Sequence, residues 1–352
     1  MKKIISVVTS LCIMTFLLAG CGSSQAPSAP AAPADGTPAT QGSEAPPPAD
    51  EVFVINFAHH QQPESPAGLA AQRLADRLIA RSEGRLDVRV FPAEQLGNER
   101  DIFEQMGEGL IDMSTFGFGI IGSMAPSALA MEMGYMFADF DHLMNFVASD
   151  VFDEIVQEAI ELAGVRIGAA YYNGVRHTTT SNDIFTDPAS LAGVRLRVPN
   201  SEMLIATFEA MGSAPTPLAF GEVYLALQTG AIDGQENPIP TIVTMSFYEV
   251  QNHLFLTGHM VQAVTFAIGE STYQNLPEDL RQIIIEEMRA EASETSEIIL
   301  RTEEEQLQFL IDAGLQVHEV DVEAFAEAVW QIIPQFEERW GAGLFDRIQA
   351  TR

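Results

Sequence analysis

Lysine is almost missing from this 352-residue sequence: it stands at positions 2 and 3 and nowhere after them. Schiff-base chemistry and a P-loop, both of which need a lysine amine, are therefore excluded from the body of the chain. Cysteine is as scarce, at Cys12 and Cys21 only, which rules out a disulfide framework and a cysteine-rich metal site. Positive charge is short altogether: 18 basic side chains stand against 49 acidic ones, for a formal charge of −31. Such a field repels a polyanion, so no nucleic-acid partner is expected, nor a broad attraction to an anionic membrane surface. The seven histidines form no H-E-x-x-H or i, i+4 pair, and no G-x-S-x-G elbow occurs. No metal, cofactor or catalytic set is expected. What is plentiful is apolar sequence: at 47% hydrophobic the chain is globular, and its length suits one large domain or two ordinary ones.

The first fifty residues read as an address and a tether. Lys2 and Lys3 precede an apolar run from Ile4 to Leu18, too short at roughly 15 residues for the ~20 of a spanning helix. Leu18-Ala19-Gly20-Cys21 follows and resembles the bacterial lipobox, in which the cysteine is lipidated and becomes the mature N-terminus. Residues 1–20 are thus expected to be a signal peptide and Cys21 a membrane anchor, leaving a mature charge of −33 and no free thiol. Residues 21–51, with seven prolines and eight alanines, bury no core and form an extended spacer.

From there the pattern alternates between periods of two and 3.6 residues, which argues for an α/β fold. Strands are expected at Glu51–His59, Arg85–Phe91, Leu110–Phe116 and Val165–Tyr172. A helix starts at Ser65-Pro66, with serine as N-cap and proline in the first turn, and stops near Gly84. Others are expected at Asn98–Met106 and, as one long amphipathic helix, at His142–Ala163. From Pro277 no proline or glycine intervenes until Gly314, so a helix of about 37 residues, ~55 Å long, would cross two domains; two shorter helices kinked near Ser293 are the alternative.

Gly117-Phe118-Gly119-Ile120-Ile121-Gly122 satisfies G-x-G-x-x-G after a predicted strand. A dinucleotide site would need a following helix and an acid about twenty residues on. Asp139 and Asp141 lie near that distance, but Pro126 and a Met/Ala-rich stretch follow the glycines and no second half-motif exists. The segment is expected to be a flexible loop close to a ligand. Of His59 and His60, adjacent at a strand end, one lines a cleft or both are surface or capping residues.

The most informative stretch runs from Tyr171 to Pro238. Asn173-Gly174-Val175-Arg176-His177-Thr178-Thr179-Thr180-Ser181-Asn182 is a polar stretch around one arginine. In Val194-Arg195-Leu196-Arg197-Val198 the apolar side chains share one face and the two arginines the other. Arginine in so acidic a chain serves either to capture an anion, through two parallel hydrogen bonds to a carboxylate, or to pair with an internal acid. Ala231-Ile232-Asp233-Gly234-Gln235-Glu236-Asn237-Pro238 reads as a turn-rich segment with convergent polar side chains.

Those motifs, with Gly193-x-Arg195-Leu-Arg197-Val-Pro-Asn200, Phe220-Gly-Glu222-Val-Tyr224, Gln228-Thr-Gly-Ala-Ile-Asp233 and Phe91-Pro92-x-x-Gln95-Leu96-Gly97, together resemble the solute-binding proteins of tripartite ATP-independent periplasmic (TRAP) transporters, of the DctP type, here as a lipoprotein. The resemblance covers the chain from about Val52.

It implies an α/β, two-domain, periplasmic-binding-protein-like clamp whose ligand cleft is crossed by connecting strands and a long domain-spanning helix. Residues 52–174 with about 263–302 would form one domain, and about 175–262 with 303–352 the other. Arg197 matches the arginine that holds the ligand carboxylate, Arg176 a second cleft arginine, Asn237 the ligand-contacting asparagine, and Phe220 the cleft aromatic. His60 and Glu99 fall where other members place polar contacts; Asn200 closes the arginine strand. Arg195 is the foil, a surface or ion-paired arginine. Gly117 replaces the glutamate of sialic-acid-binding members, which argues against that sugar acid, and Met133-Gly134-Tyr135-Met136-Phe137 replaces an aromatic-rich Leu-Pro-Tyr segment, so that wall is expected to differ. The implied function is extracytoplasmic capture of an organic acid, a C4-dicarboxylate or sugar acid, for TRAP permease subunits, by a monomer held to the membrane by its N-terminal lipid. A clamp presenting its ligand to a receptor kinase and an exported hydrolase of acidic sugars are the alternatives.

Overall fold

The computed structural model describes residues 51–352; the expected signal peptide, Cys21 and most of the tether lie outside them. Nine strands form one sheet. They are β1 (Phe53–Ala58), β2 (Leu86–Phe91), β3 (Met113–Gly117), β4 (Val165–Thr180), β5 (Arg195–Val198), β6 (Ala214–Pro217), β7 (Gly234–Pro238), β8 (His253–Gly269) and β9 (Gln316–His318). Their order is β2-β1-β3-β8-β4-β7-β5-β6, with β9 also on β8. This is the expected mixed α/β architecture.

The two longest strands, β4 and β8, run antiparallel through the whole sheet. The other strands join their opposite ends. β3 pairs with Val264–Ile268 of β8 and carries parallel β1 and β2. β7 pairs with Arg176–Thr180 of β4 and carries parallel β5, then β6. Between these two groups the β4–β8 register shifts at Ile167/Ala169, Tyr172/Gly174 and Arg176/Thr178. The parallel strands of each group end toward the middle, and the carboxyl ends of parallel strands are where α/β sheets bind ligands.

Helices begin largely where the local chemistry says. The Ser65 hydroxyl accepts from the Gly68 amide at 3.0 Å and caps the helix Pro66–Arg81. Asn98 and Asp101 form a reciprocal capping box on Glu99–Gly107. The helix Glu278–Asp312 is unbroken over 35 residues, so the kinked alternative does not occur. Near its start Glu287 and Glu291 meet Arg73, Arg77 and Arg81 of the first helix. Midway, Glu303 accepts from the Tyr172 hydroxyl at 2.7 Å and the Val175 amide at 3.0 Å. Near its end Leu310 joins a core with Ile242, Phe247 and Leu254. One helix therefore braces both groups of strands.

Three expectations change. His142–Ala163 is two helices, Phe140–Val147 and Asp150–Glu158, because Ser149 caps the second from the Phe152 amide at 3.4 Å and forces an extended residue between them. Only the start of Ala231–Pro238 bends, at 231–233; Gly234–Pro238 is the buried strand β7, paired on both sides. A Cβ on Gly234 would lie 2.1 Å from the Thr179 carbonyl oxygen, so only glycine admits that pairing. Gly117–Gly122 is not a loop either; Phe118–Gly122 is a buried helical turn. The segment 303–352 also reaches further than expected: Arg347 pairs with Glu154, and Gln349 donates to the Met136 carbonyl at 2.6 Å. No described helix is long and apolar enough to cross a membrane.

Candidate functional site

A cavity of about 180 Å³ lies over the middle of β4 and β8, where the two groups of strands face each other. His60, Glu99, Arg176, Arg197, Asn200, Phe220 and Asn237 all line it. Seven residues spread over 178 positions are thus gathered on one space.

The two buried arginines differ in what they hold. Arg176, 3% exposed, donates through Nε and Nη2 to the carboxylate of Glu236 at 2.5 and 2.7 Å, and through Nη2 to the Asn237 amide oxygen at 3.2 Å. Glu236 also meets His259 Nε2 at 2.9 Å, and His259 Nδ1 lies 2.9 Å from the Thr257 hydroxyl. Burial alone would raise the Glu236 pKa, but Arg176 and His259 more than offset it and hold it at about 2. This charge is balanced inside the protein.

Arg197, also 3% exposed, forms no ion pair among the described residues. Its Nε and Nη2 donate to the Leu218 carbonyl at 3.1 and 2.8 Å, and its guanidinium carbon sits 5.9 Å from the centre of the Phe220 ring. A guanidinium has five donors, so most of its capacity remains. Burial, the largest cause, pulls its pKa down to about 10, which leaves it charged at neutral pH. Arg195, two residues earlier, is exposed and pairs with Asp233, as expected of the foil. Both sit at odd positions of β5, but Arg195 leaves the sheet toward the turn at Asp233 while Arg197 turns inward.

The remaining side chains furnish polarity and shape. His60, rather than His59, lines the cavity. Its ring packs edge-on to Phe220 at 5.5 Å, and burial followed by the Arg197 charge lowers its pKa to about 4, so it is neutral at pH 7. His59 is buried beside Phe57. Glu99 accepts from the Gly117 amide at 3.0 Å, and burial raises its pKa. Asn237 donates to Gln235 Oε1 at 2.6 Å. Across the mouth, the Asn200 amide, turned so that its oxygen faces Arg100, accepts from Arg100 Nε and Nη2, each at 3.3 Å, and the Gly221 amide donates to Glu94 at 3.4 Å.

Polar lining residues that the sequence did not single out include Gln61, Arg100, Glu132, Ser201, Thr241 and Gln262, the last accepting from Asn173 Nδ2 at 3.0 Å. Glu132 did carry a signal, as the one acidic residue in the apolar run from Met124 to Phe137. The altered Met133–Phe137 segment does not line the cavity; Glu132, immediately before it, does. Among the described residues no cluster of His, Cys, Asp and Glu has the geometry of a metal site.

Comparison with known proteins agrees with this arrangement. The model of the family described as "Bacterial extracellular solute-binding protein, family 7" (DctP) matches residues 57–339. The sialic acid-binding periplasmic protein SiaP of Vibrio cholerae is 36% identical over 80% of this chain and 87% of its own length. A TRAP periplasmic solute-binding protein of Roseobacter denitrificans, solved with bound L-galactonate, superposes with a TM-score of 0.80, 30% identity, and coverage of 86% and 99% of the two chains. One from Ochrobacterium anthropi with bound L-fuconate gives 0.80, 29%, 86% and 99%.

Proposed function

We propose, from the premise that the chain belongs to bacterial extracellular solute-binding protein family 7, the TRAP solute-binding proteins, that its cleft captures an organic acid through an ion pair between Arg197 and the ligand carboxylate. The family is one of transport binding proteins, not enzymes. The observation that carries the reading is Arg197 itself. A guanidinium taken out of water without a carboxylate partner is costly, and a well-placed anion relieves that cost. Two of the related structures hold sugar acids, which carry such an anion.

In this account Phe220 and His60 form one side of the anion pocket, Asn237 and Glu99 meet the rest of the ligand, and Arg176 keeps Asn237 and β7 in place. Asn200 and Arg100 bridge the mouth. Ligand contacts on both sides of the cleft favour the shut clamp, whose loaded form delivers its cargo to the TRAP permease subunits. The protein is placed outside the cytoplasm as a monomer, tethered through a lipid on Cys21.

The test is a thermal-shift screen of the purified protein against aldonates, uronates, keto acids and dicarboxylates. A ligand at 100 times its dissociation constant adds about 2.7 kcal/mol of stability. At least one acid is expected to raise the midpoint by several degrees; a flat response across the panel would overturn the reading.

A further inference from the structure

Glu132 ends the 3₁₀ helix Pro126–Glu132 and is only 6% exposed, yet it lines the cavity. Its Oε2 is buried and, among the described residues, no donor meets it in good hydrogen-bond geometry, although the Ser201 hydroxyl and the Gly119 amide lie beside the carboxyl. Buried polar atoms are nearly always paired, so an orphaned carboxylate oxygen on a cavity wall points to a donor supplied from outside the chain.

The glycines of the G-x-G-x-x-G segment make room for it. A Cβ on Gly117 would lie 2.9 Å from Glu132 Oε1, and one on Gly119 would lie 2.1 Å from Oε2. Gly122 admits Leu129 in the same way, at 2.6 Å. The motif that mimics a dinucleotide fingerprint is a seat for the helix 126–132. Glu99, which takes the Gly117 amide, comes within 3.8 Å of the same Gly117 Cβ position. Two carboxyl groups therefore flank Gly117 on one wall. Arg176 is closed on Glu236, and Arg197 is the one buried cation on the cavity that no carboxylate engages among the described residues.

We infer that Glu132 determines specificity: its carboxyl accepts hydrogen bonds from the end of the ligand remote from Arg197, so the cleft takes a monocarboxylate bearing donor groups there and refuses a second carboxylate. The assignment rests on Arg197 as the anchor. A dianion would bring its second charge against two carboxyl groups where little water screens the repulsion. Burial raises the pKa of both groups, with the Ser201 hydroxyl and the Gly119 amide pulling the Glu132 value partly back down, in keeping with groups poised to share hydrogen bonds. Hydroxyls and an ammonium both present such donors, and the ligands tested separate them.

The experiment is calorimetry on wild type, Glu132→Gln and Glu132→Ala with three sets of acids of four to six carbons: aldonates, dicarboxylates and ω-amino acids. Wild type is expected to bind an aldonate at least 100-fold more tightly than any dicarboxylate. Glu132→Gln, which keeps an acceptor and removes the charge, narrows that ratio about 10-fold, and Glu132→Ala weakens the aldonate about 10-fold. Tightest binding of an ω-amino acid, lost in Glu132→Gln, supports the assignment with ammonium as the donor. A dicarboxylate bound as tightly as the aldonate by wild type, or a ratio that Glu132→Gln leaves unchanged, overturns it while leaving acid capture intact. Wild type binding none of the acids overturns acid capture, and this assignment with it.

Discussion

The guanidinium of Arg176 lies against the carboxylate of Glu236 with both side chains out of water, one 3% and the other 0% exposed. Nearby, the equally buried Arg197 faces the cavity with only the Leu218 carbonyl as a hydrogen-bond partner among the described residues. Two arginines of the same burial thus have separate fates: one is part of the frame, the other is open to a ligand.

Removing each should read out differently. Arg197→Ala is expected to weaken acid binding at least 100-fold while leaving the unfolding midpoint of the free protein nearly unchanged, because the cost of its buried charge goes with it. Arg195→Ala should leave affinity within a few-fold, since an exposed pair such as Arg195–Asp233 contributes little. Calorimetry on the two variants decides the matter, and equal losses would refute the role given to Arg197.

Breaking the Arg176–Glu236 pair should instead destabilise the protein. Taking one partner from a buried ion pair leaves the other charge stranded, at a cost of about 3–5 kcal/mol. Arg176→Ala is expected to lower the urea midpoint accordingly even without ligand. An unchanged midpoint would mean that the pair does not hold β4 to β7.

Acidification supplies a third check. His59 is buried with neither ring nitrogen partnered among the described residues, and burial, helped by the His60 charge, lowers its pKa to about 4. A histidine whose pKa falls on folding leaves stability intact above about pH 6.5 and removes it as pH drops toward 4, by about 3 kcal/mol at most. Glu99 and Glu132, raised by burial, act with the opposite sign, so the informative quantity is a difference. Chemical denaturation of wild type and His59→Leu across pH 7 to 4 should show the variant losing less. Parallel curves would contradict the buried neutral state.

Gly119→Ala tests the seat of Glu132. The added methyl would clash with Glu132 Oε2, and overpacking of this kind costs about 1–3 kcal/mol. In a Glu132→Ala background the penalty should shrink to below about 1 kcal/mol, leaving Ser201 as the neighbour to adjust. A double-mutant cycle with no coupling would show that the glycine is there for another reason.

Much of the fold was legible because the signals were local. Ser65-Pro66 marks a helix start whatever surrounds it, and 35 residues free of proline and glycine leave a helix little alternative. β7 was hidden for the opposite reason: Gln235, Glu236 and Asn237 look like turn residues until Thr179, Arg176 and His259 arrive from elsewhere to satisfy them. Family resemblance picked out the residues that meet at the cavity. It could not tell that Arg176 is spoken for, since the only marker is a partner 60 positions away. Glu132 was overlooked because an acid in an apolar run becomes meaningful only once the glycines opposite it are seen to be empty space.

The shared strand β8 also bears on how the chain matures. Both groups of strands need it, one through β3 along Val264–Ile268 and the other through β4, which carries β7. A polypeptide appearing N-terminus first cannot finish either lobe until residue 269 has been made, three-quarters of the way along its length. Once β8 has been made, both lobes can gain their central ladder together.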